Sequence, residues 1–523
     1  MLTKPAPLVD LQPVSSRSST VKGGGHIQRN ISALGLVGVS LEILNGWMSI
    51  SSSIIIGLSQ GGTVVVLYGL IGLTLVNLCI AGTLAEMASA VPTAGGQYVW
   101  SALFSPKSTR RAVSFATGFV SLFAWCLTTA SVCTTVAQYI FAIVLLWHPA
   151  FNVERWMVFL LYIAVLLLFL SWNVFLTVRT PWLGNIFIWA SSAIFIAIIA
   201  SCLTLAPSYQ PSSAVWSTYT NEIGWTSSFV VVATGLTNPG YVFLGIDATV
   251  HLAEDSTRPA RDVPIALFSS VASAFVTAFS TGVVLAYCVQ DYTEAASSLV
   301  PFLSILHQAT QSRAGATALF ACATISFSIA GNACIHTVSR LLWSLANDRA
   351  LPLHSRLRSI HPTLQVPVWS ILASAIPVII CGVLYVASTT AYNSIVSCAI
   401  ILSYISFAIP TVVLMLDRRR SLDPTRRCRL GVLGWVANSV VVLWTVFTTV
   451  MWLFPLTPDP DASEMNFAIV VLGVLAVLGA ALWFLYARRH FHGPTLDDLV
   501  IHLSKADSRI AEEGHAEEKE ASG

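Results

Sequence analysis

Long apolar stretches, separated by short polar ones, run along almost the whole chain. A bilayer core about 30 Å thick needs about 20 apolar residues in helix. Stretches of that kind fall at about 32–57, 63–90, 112–144, 156–177, 182–205, 228–252, 264–290, 313–343, 367–388, 391–416, 431–454 and 465–488. They do not alternate apolar and polar residues with period two, which excludes a membrane β-barrel. The pattern predicts an all-α polytopic membrane protein of about twelve transmembrane helices over residues 31–489. Residues 1–30 and 490–523 are polar and are expected to be disordered tails. Residues 1–30 also lack the apolar core of a cleavable signal peptide.

Composition sharpens this picture. Only 10% of the 523 residues are charged, against about 25% in soluble domains. That is too little charge to coat soluble domains, so an ordinary soluble enzyme, a disordered chain and a nucleic-acid binder are excluded. The ten cysteines lie almost entirely inside apolar runs, with no CxxC pair. They read as small apolar fillers, and neither a metal site nor a cofactor is expected. Of the 27 Lys and Arg residues, 25 fall on one side of the twelve spans, and only Arg155 and Arg313 fall on the other. The positive-inside rule therefore expects both termini in the cytosol, with the plasma membrane as the expected location. The Asn30-Ile31-Ser32 sequon then lies in the cytosolic tail.

Two spans carry helix-breaking residues beside an acid. The first reads Gly38-Val-Ser40-Leu-Glu42-Ile-Leu-Asn45-Gly46-Trp47, and the sixth reads Gly235-Leu-Thr237-Asn238-Pro239-Gly240-Tyr241-Val-Phe243-Leu-Gly245-Ile-Asp247. In lipid, unpaired backbone must line a cavity or be buried in protein. Interrupted helices at matching places in two halves point to a transport site near the midplane. Half-helix N-termini offer N–H groups to an anionic group, and C-termini offer carbonyls to a cation. The competing reading is that these glycines only let helices pack closely.

Polar stripes repeat the theme. Ser121, Trp125, Thr128, Ser131, Thr135 and Gln138 step along the third span, and Ser328, Asn332, His336 and Arg340 along the eighth. Each stripe also reads as interhelical glue. Of the acids, Glu42, Glu86 and Asp247 are embedded, at a cost of about 2.5–3.5 kcal/mol for a central charge. Glu42 shares a face with Asn45 and is the first candidate for recognising a cation or carrying a coupling proton. Ionised at ~4 Å from an ammonium it would gain up to ~4 kcal/mol before desolvation.

Three segments resemble a known superfamily. They are Leu84-Ala85-Glu86-Met87-Ala88-Ser89-Ala90-Val91-Pro92-Thr93-Ala94-Gly95-Gly96-Gln97-Tyr98, the run from Phe243 through Asp247, His251, Glu254 and Arg261 to Pro264, and Ser339 to Pro352. They resemble motifs of the amino acid–polyamine–organocation superfamily, in the wording of fungal amino acid, choline and γ-aminobutyrate permeases. The resemblance implies two inverted five-helix repeats (LeuT-like), with broken helices 1 and 6, plus two trailing helices. It implies alternating access, with substrate held between the first and sixth helices. Carried over by motif position, Ser40, Asn45, Gly46 and Trp47 would line the site, with Glu42 and Trp125 beside them. Tyr241, Phe243, Gly245 and Asp247 would do so from the sixth helix or lie just below. Glu86, Pro92, Gly95, Gly96, Gln97, Glu254 and Arg261 would form the cytoplasmic gate.

The expected partners are a small amino acid or amine, a proton or other coupling ion, and the bilayer, with no nucleic acid. Aromatics near the breaks suit a quaternary ammonium. No lysine occurs in the fifth span, so coupling through an amine in that helix is not available. No GxxxxGK[ST] loop occurs, so gradient-driven movement or facilitated diffusion is expected rather than a pump. A nutrient sensor on the same scaffold is the alternative. His251-Leu-Ala-Glu-Asp255 resembles an acyl-transfer motif, but that spacing is common by chance, and an enzyme is not expected.

Overall fold

The computed structural model describes residues 33–177, 182–455, 457–461 and 465–494. The tail at 1–30, the sequon, Arg179 and the tail beyond 494 lie outside the described residues. Among the described residues, twelve helices are long and apolar enough to cross a membrane. The first span is α1 (Ala33–Leu44) followed by α2 (Gly46–Ser59). Next come α3 (Gly62–Ala90), the short α4 (Gln97–Phe104), α5 (Arg110–Trp147), α6 (Arg155–Phe175) and α7 (Trp182–Leu205). A short α8 (Ser212–Ser217) leads to the sixth span, built from α9 (Ser228–Gly235), α10 (Thr237–Gly240), a 3-10 turn at Tyr241–Phe243 and α11 (Ala248–His251). Then follow α12 (Pro259–Cys288), α13 (Tyr292–Ser297), α14 (Pro301–Thr310), α15 (Arg313–Asn347), α16 (His354–Leu357), α17 (Val368–Ala387) and α18 (Thr389–Leu416). The trailing pair is α19 (Val432–Met451) and α20 (Ala468–Leu482).

The lengths show the two repeats. After a broken span, the first half runs 29, 38, 21 and 24 residues in α3, α5, α6 and α7. The second runs 30, 35, 20 and 28 in α12, α15, α17 and α18. The short α4 sits between the second and third spans, while α13 and α14 sit between the seventh and eighth. These connections lie on opposite faces, because an odd number of crossings separates them, so the repeats are inverted. The repeats interlock, α3 against α12 and α5 against both α15 and α18.

The arginine-rich connections meet at one end, called here the basic face. Arg111 donates to the carbonyls of Phe491 and Arg488 at 2.7 and 2.9 Å, and His354 Nδ1 lies 3.0 Å from the Tyr486 hydroxyl. The chain thus stays packed through Phe491, which is fully buried. Leu75, Leu160, Leu167, Leu443 and Val477 are more than half exposed. Such an apolar belt matches a hydrocarbon surround, where the hydrogen-bonded helix backbone needs no water.

Candidate functional site

The first interruption is one residue wide. Asn45 takes the left-handed conformation, at φ 36°. Its N–H still reaches Leu41 O, and its carbonyl accepts from Met48 and Ser49, all at 3.0 Å. A new half-helix therefore begins at Gly46, with its positive N-terminal end at the interruption. Glycine is required at 46, since a Cβ would sit 2.4 Å from Ala274 O. Positions 38, 42 and 45 share one face of the span. A Cβ on Gly38 would strike Ile188 of α7. Asn45 Nδ2 donates to Ser326 Oγ at 3.4 Å, and Ser326 pairs with Ser191 of α7 at 2.9 Å. Glu42 lies on that face, buried, with no hydrogen bond to Oε1 among the described residues.

The second interruption is wider. The helix stops at the 3-10 turn, Leu244 is extended at ψ 124°, and Gly245 takes φ +95°. Helix resumes at Ala248. A Cβ on Gly245 would lie 3.0 Å from Ile43 and 3.2 Å from the Trp125 ring. The two interruptions therefore meet, across α5, at the centre of the protein.

Below them, toward the basic face, polar contacts close the structure. Asp247 Oδ2 accepts from Gln97 Nε2 at 2.6 Å and from Trp125 Nε1 at 3.2 Å. His251 Nε2 also faces that oxygen at 3.2 Å, and its Nδ1 lies 2.9 Å from Ala94 O. Ala94 N–H donates to Glu254 Oε1 at 3.1 Å. Gly96, at φ +51°, has no room for a Cβ, which would lie 2.7 Å from Val250. Further out, buried Glu86 is paired with Arg419 and, at 2.6 Å, with Arg426, and it also accepts from Leu430 N–H at 3.3 Å. Two arginines and a backbone donor compensate a carboxylate that burial would otherwise penalise. Thr425 donates to Asp423 Oδ1 through N–H and hydroxyl at 2.7 and 2.6 Å. Those hydrogen bonds hold the Asp423 carboxyl below the usual carboxylate range.

Above the interruptions lies a cavity of about 540 Å³, on the side of the face opposite the basic one. Ser52 and Ser53 line it from α2, Gln60 from just beyond that helix, and Thr237, Asn238 and Tyr241 from the sixth span. Ser131, Thr134, Gln138 and Tyr139 line it from α5, and Tyr392 from α18. The Tyr241 hydroxyl lies 3.1 Å from Ser131 Oγ. Thr134 donates to the Tyr392 hydroxyl at 2.6 Å, which donates onward to Ala130 O at 2.7 Å. No charged side chain is among the described residues of the lining.

The profile of the amino acid permease family matches residues 31–475. The chain belongs to the amino acid permease family. This places it in the amino acid–polyamine–organocation superfamily, as its motifs imply. It is 30% identical over 491 residues to the choline transporter of Saccharomyces cerevisiae, covering 93% of this chain and 86% of that one. It is 31% identical over 479 residues to a swainsonine transporter of Arthroderma benhamiae, covering 89% and 92%. A crystal structure of a manganese transporter mutant from Eremococcus coleocola overlays with a TM-score of 0.54, covering 88% of this chain and 97% of that one. At 13% identity that likeness shows the fold alone.

Within this permease, Tyr241 is the one expected substrate residue on the cavity wall described here. Trp47 packs on Phe195, with ring centroids 6.3 Å apart, Ser40 bonds its own helix at Leu36 O, and Phe243 is buried. With Glu42, Asn45, Gly46 and Gly245 they surround the interruptions beneath the cavity. Trp125 and Asp247 join Gln97 on the basic-face side. Arg261 is exposed. The third-span stripe reaches the cavity through Ser131, Thr135 and Gln138. The eighth-span stripe does not, since Asn332 is bonded to Asn173 of α6 at 2.9 Å. Sequence reasoning missed Tyr392, Thr134, Arg419 and Arg426. The arginines stood out only as a charge run, with nothing to show that Glu86 would receive them.

Proposed function

We propose that this permease is a gradient-driven transporter of small amines or amino acids, coupled to protons and working by alternating access. The observation that carries the reading is the polar, aromatic, uncharged cavity, open at one end of the interrupted helices and closed at the other. Tyr139, Tyr241, Tyr392 and Trp452 supply π-faces without a formal charge. Such walls favour a quaternary ammonium or a zwitterion, and give a net anion no counter-charge. The similarity to a choline transporter supports the same substrate class. Ser40, Glu42, Asn45, Gly46, Trp47, Trp125, Tyr241, Phe243, Gly245 and Asp247 would meet substrate as it descends between the interruptions. Glu86, Gly95, Gly96, Gln97, Glu254 and Arg261 would form the gate of the basic face. Lysine and arginine asymmetry supports a cytosolic basic face, and the plasma membrane is the proposed location.

The test is uptake of labelled choline and a panel of amino acids into liposomes holding the purified chain, with and without an inward proton gradient. Accumulation that needs the gradient is the expected result. Neither accumulation nor exchange across the panel would overturn transport and favour a sensor.

A further inference from the structure

The sealed side of the interruption sets a buried histidine between two acceptors. His251 is fully buried, and both of its ring nitrogens face acceptors. Nδ1 faces the Ala94 carbonyl at 2.9 Å, and Nε2 faces Asp247 Oδ2 at 3.2 Å. A neutral imidazole carries one N–H and can serve only one of them. Asp247 cannot readily supply the missing hydrogen, because Gln97 and Trp125 already donate to that same oxygen. Donors converging on one oxygen are the signature of an ionised carboxylate. An ionised Asp247 and a carbonyl together require both nitrogens of His251 to donate. An imidazolium beside a carboxylate would meet both acceptors, as a pair that is net neutral and so tolerable in a dry interior.

We propose that the His251–Asp247 pair is a proton-operated lock that ties the Ala94–Phe104 segment to the sixth span. The claim deepens the transport reading by assigning a site where a proton controls the gate. With the proton bound, Ala94 is held through both of its flanking peptide groups, its carbonyl by His251 and its N–H by Glu254. Losing the proton removes one of the two His251 hydrogen bonds and leaves a buried acceptor unmatched. Gly96 makes the grip possible, because its missing Cβ lets His251 Cε1 approach to 3.5 Å of that position. Trp125 carries the state of the lock upward, since its indole N–H is on Asp247 and its ring lies against Gly245 at the interruption.

Other ionisable groups on the surrounding elements are engaged elsewhere or face away. Asp262 of α12 accepts from Ser256 at 3.0 Å. Asp348, after α15, accepts from Tyr98 of α4 at 2.9 Å, and Arg340 of α15 donates to His336 at 3.2 Å. Glu42 of α1 lies on the face turned to α7. The Glu254 carboxylate takes the Ala94 N–H. On α5, Trp125 presents only its N–H.

The experiment is hydrogen–deuterium exchange of the full chain in lipid nanodiscs, without substrate, at a series of pH values spanning imidazole titration. Rates are corrected for intrinsic exchange. Protection of amides in 94–104 is expected to fall by roughly tenfold or more as pH rises, the scale of one lost charge-assisted hydrogen bond. The α14 amides, on the opposite face, should not change. In Asp247→Asn the second proton is no longer required, so protection should persist without pH dependence. In His251→Gln protection should be low and flat. A flat wild-type profile, a parallel change in α14, or a pH transition that survives in Asp247→Asn would each overturn the lock. Because no substrate is added, the result is independent of whether choline or any amino acid is carried.

Discussion

The Tyr98 hydroxyl donates to Asp348 at 2.9 Å and lies 2.8 Å from Ser344, joining α4 to the end of α15. Two residues earlier, at the start of the same helix, Gly96 abuts Val250 of the sixth span, and Gln97 bonds Asp247. Three motifs from widely separated parts of the chain thus converge on one layer beneath the interruptions. That convergence explains why each departs from a plain apolar helix: buried polar groups need partners, and many of theirs come from one another.

Gly245→Leu should abolish uptake while the protein remains in the membrane fraction. A side chain there faces both a left-handed φ of +95° and the Ile43 and Trp125 contacts. The backbone alone costs ~1–3 kcal/mol, and the added bulk separates the two interrupted spans. Uptake measured beside membrane content checks this, and wild-type uptake would contradict it.

Tyr241→Phe and Tyr241→Leu should part company. The phenylalanine variant keeps the π-face and loses only the contact with Ser131, so KM for a quaternary amine should change little. The leucine variant loses the face, and KM should rise by roughly 3- to 30-fold, matching ~0.5–2 kcal/mol for a cation over a ring. Equal KM values in the two variants would argue against ring recognition.

Glu86→Gln should lower thermal stability in detergent more than uptake chemistry. It leaves Arg419 and Arg426 without the carboxylate they share. Removing one partner of a buried pair costs about 3–5 kcal/mol. A melting temperature within error of wild type would show that the cluster is not a structural tie.

Asp423→Asn should remove a small acid-sensitive part of the stability. The carboxyl is held below its ordinary range in the folded chain. Folding therefore favours the ionised form, with a contribution that is present above the ordinary carboxylate range and lost as pH falls through the lowered value. Melting curves at successive pH values should show a shallower acid slope in the variant.

Glu42→Gln should change the pH profile of uptake, because Glu42 is a buried carboxylate beside the first interruption with an unfilled oxygen among the described residues. An identical profile across the range where carboxylates and imidazoles titrate would remove it from coupling.

The span pattern was legible because hydrocarbon demands long apolar helices, and the interruptions because Asn45-Gly46 and Gly245 are poor helix interiors, although Asn238-Pro239-Gly240 is itself helical. The inverted repeat came from the resemblance, and the paired helix lengths agree with it. What stayed hidden was which polar atoms would meet. Nothing in the sequence ties Thr134 to Tyr392 or Glu86 to Arg426, 340 residues apart. Such pairings depend on the packing of α5 against α18 and on the path of the loop after it. The cavity also opens on α2 and the upper sixth span rather than on the interruptions themselves, a vertical offset that residue periodicity cannot encode.

The sixth span holds Ala94 by its peptide, not by its methyl group. A side-chain scan would pass over this position as already alanine and would read its neighbours instead. The seal is thereby insulated from most substitutions at its own grip point. A change to the main chain, such as a proline that deletes the N–H, would expose how much of the closure hangs on the bond to Glu254.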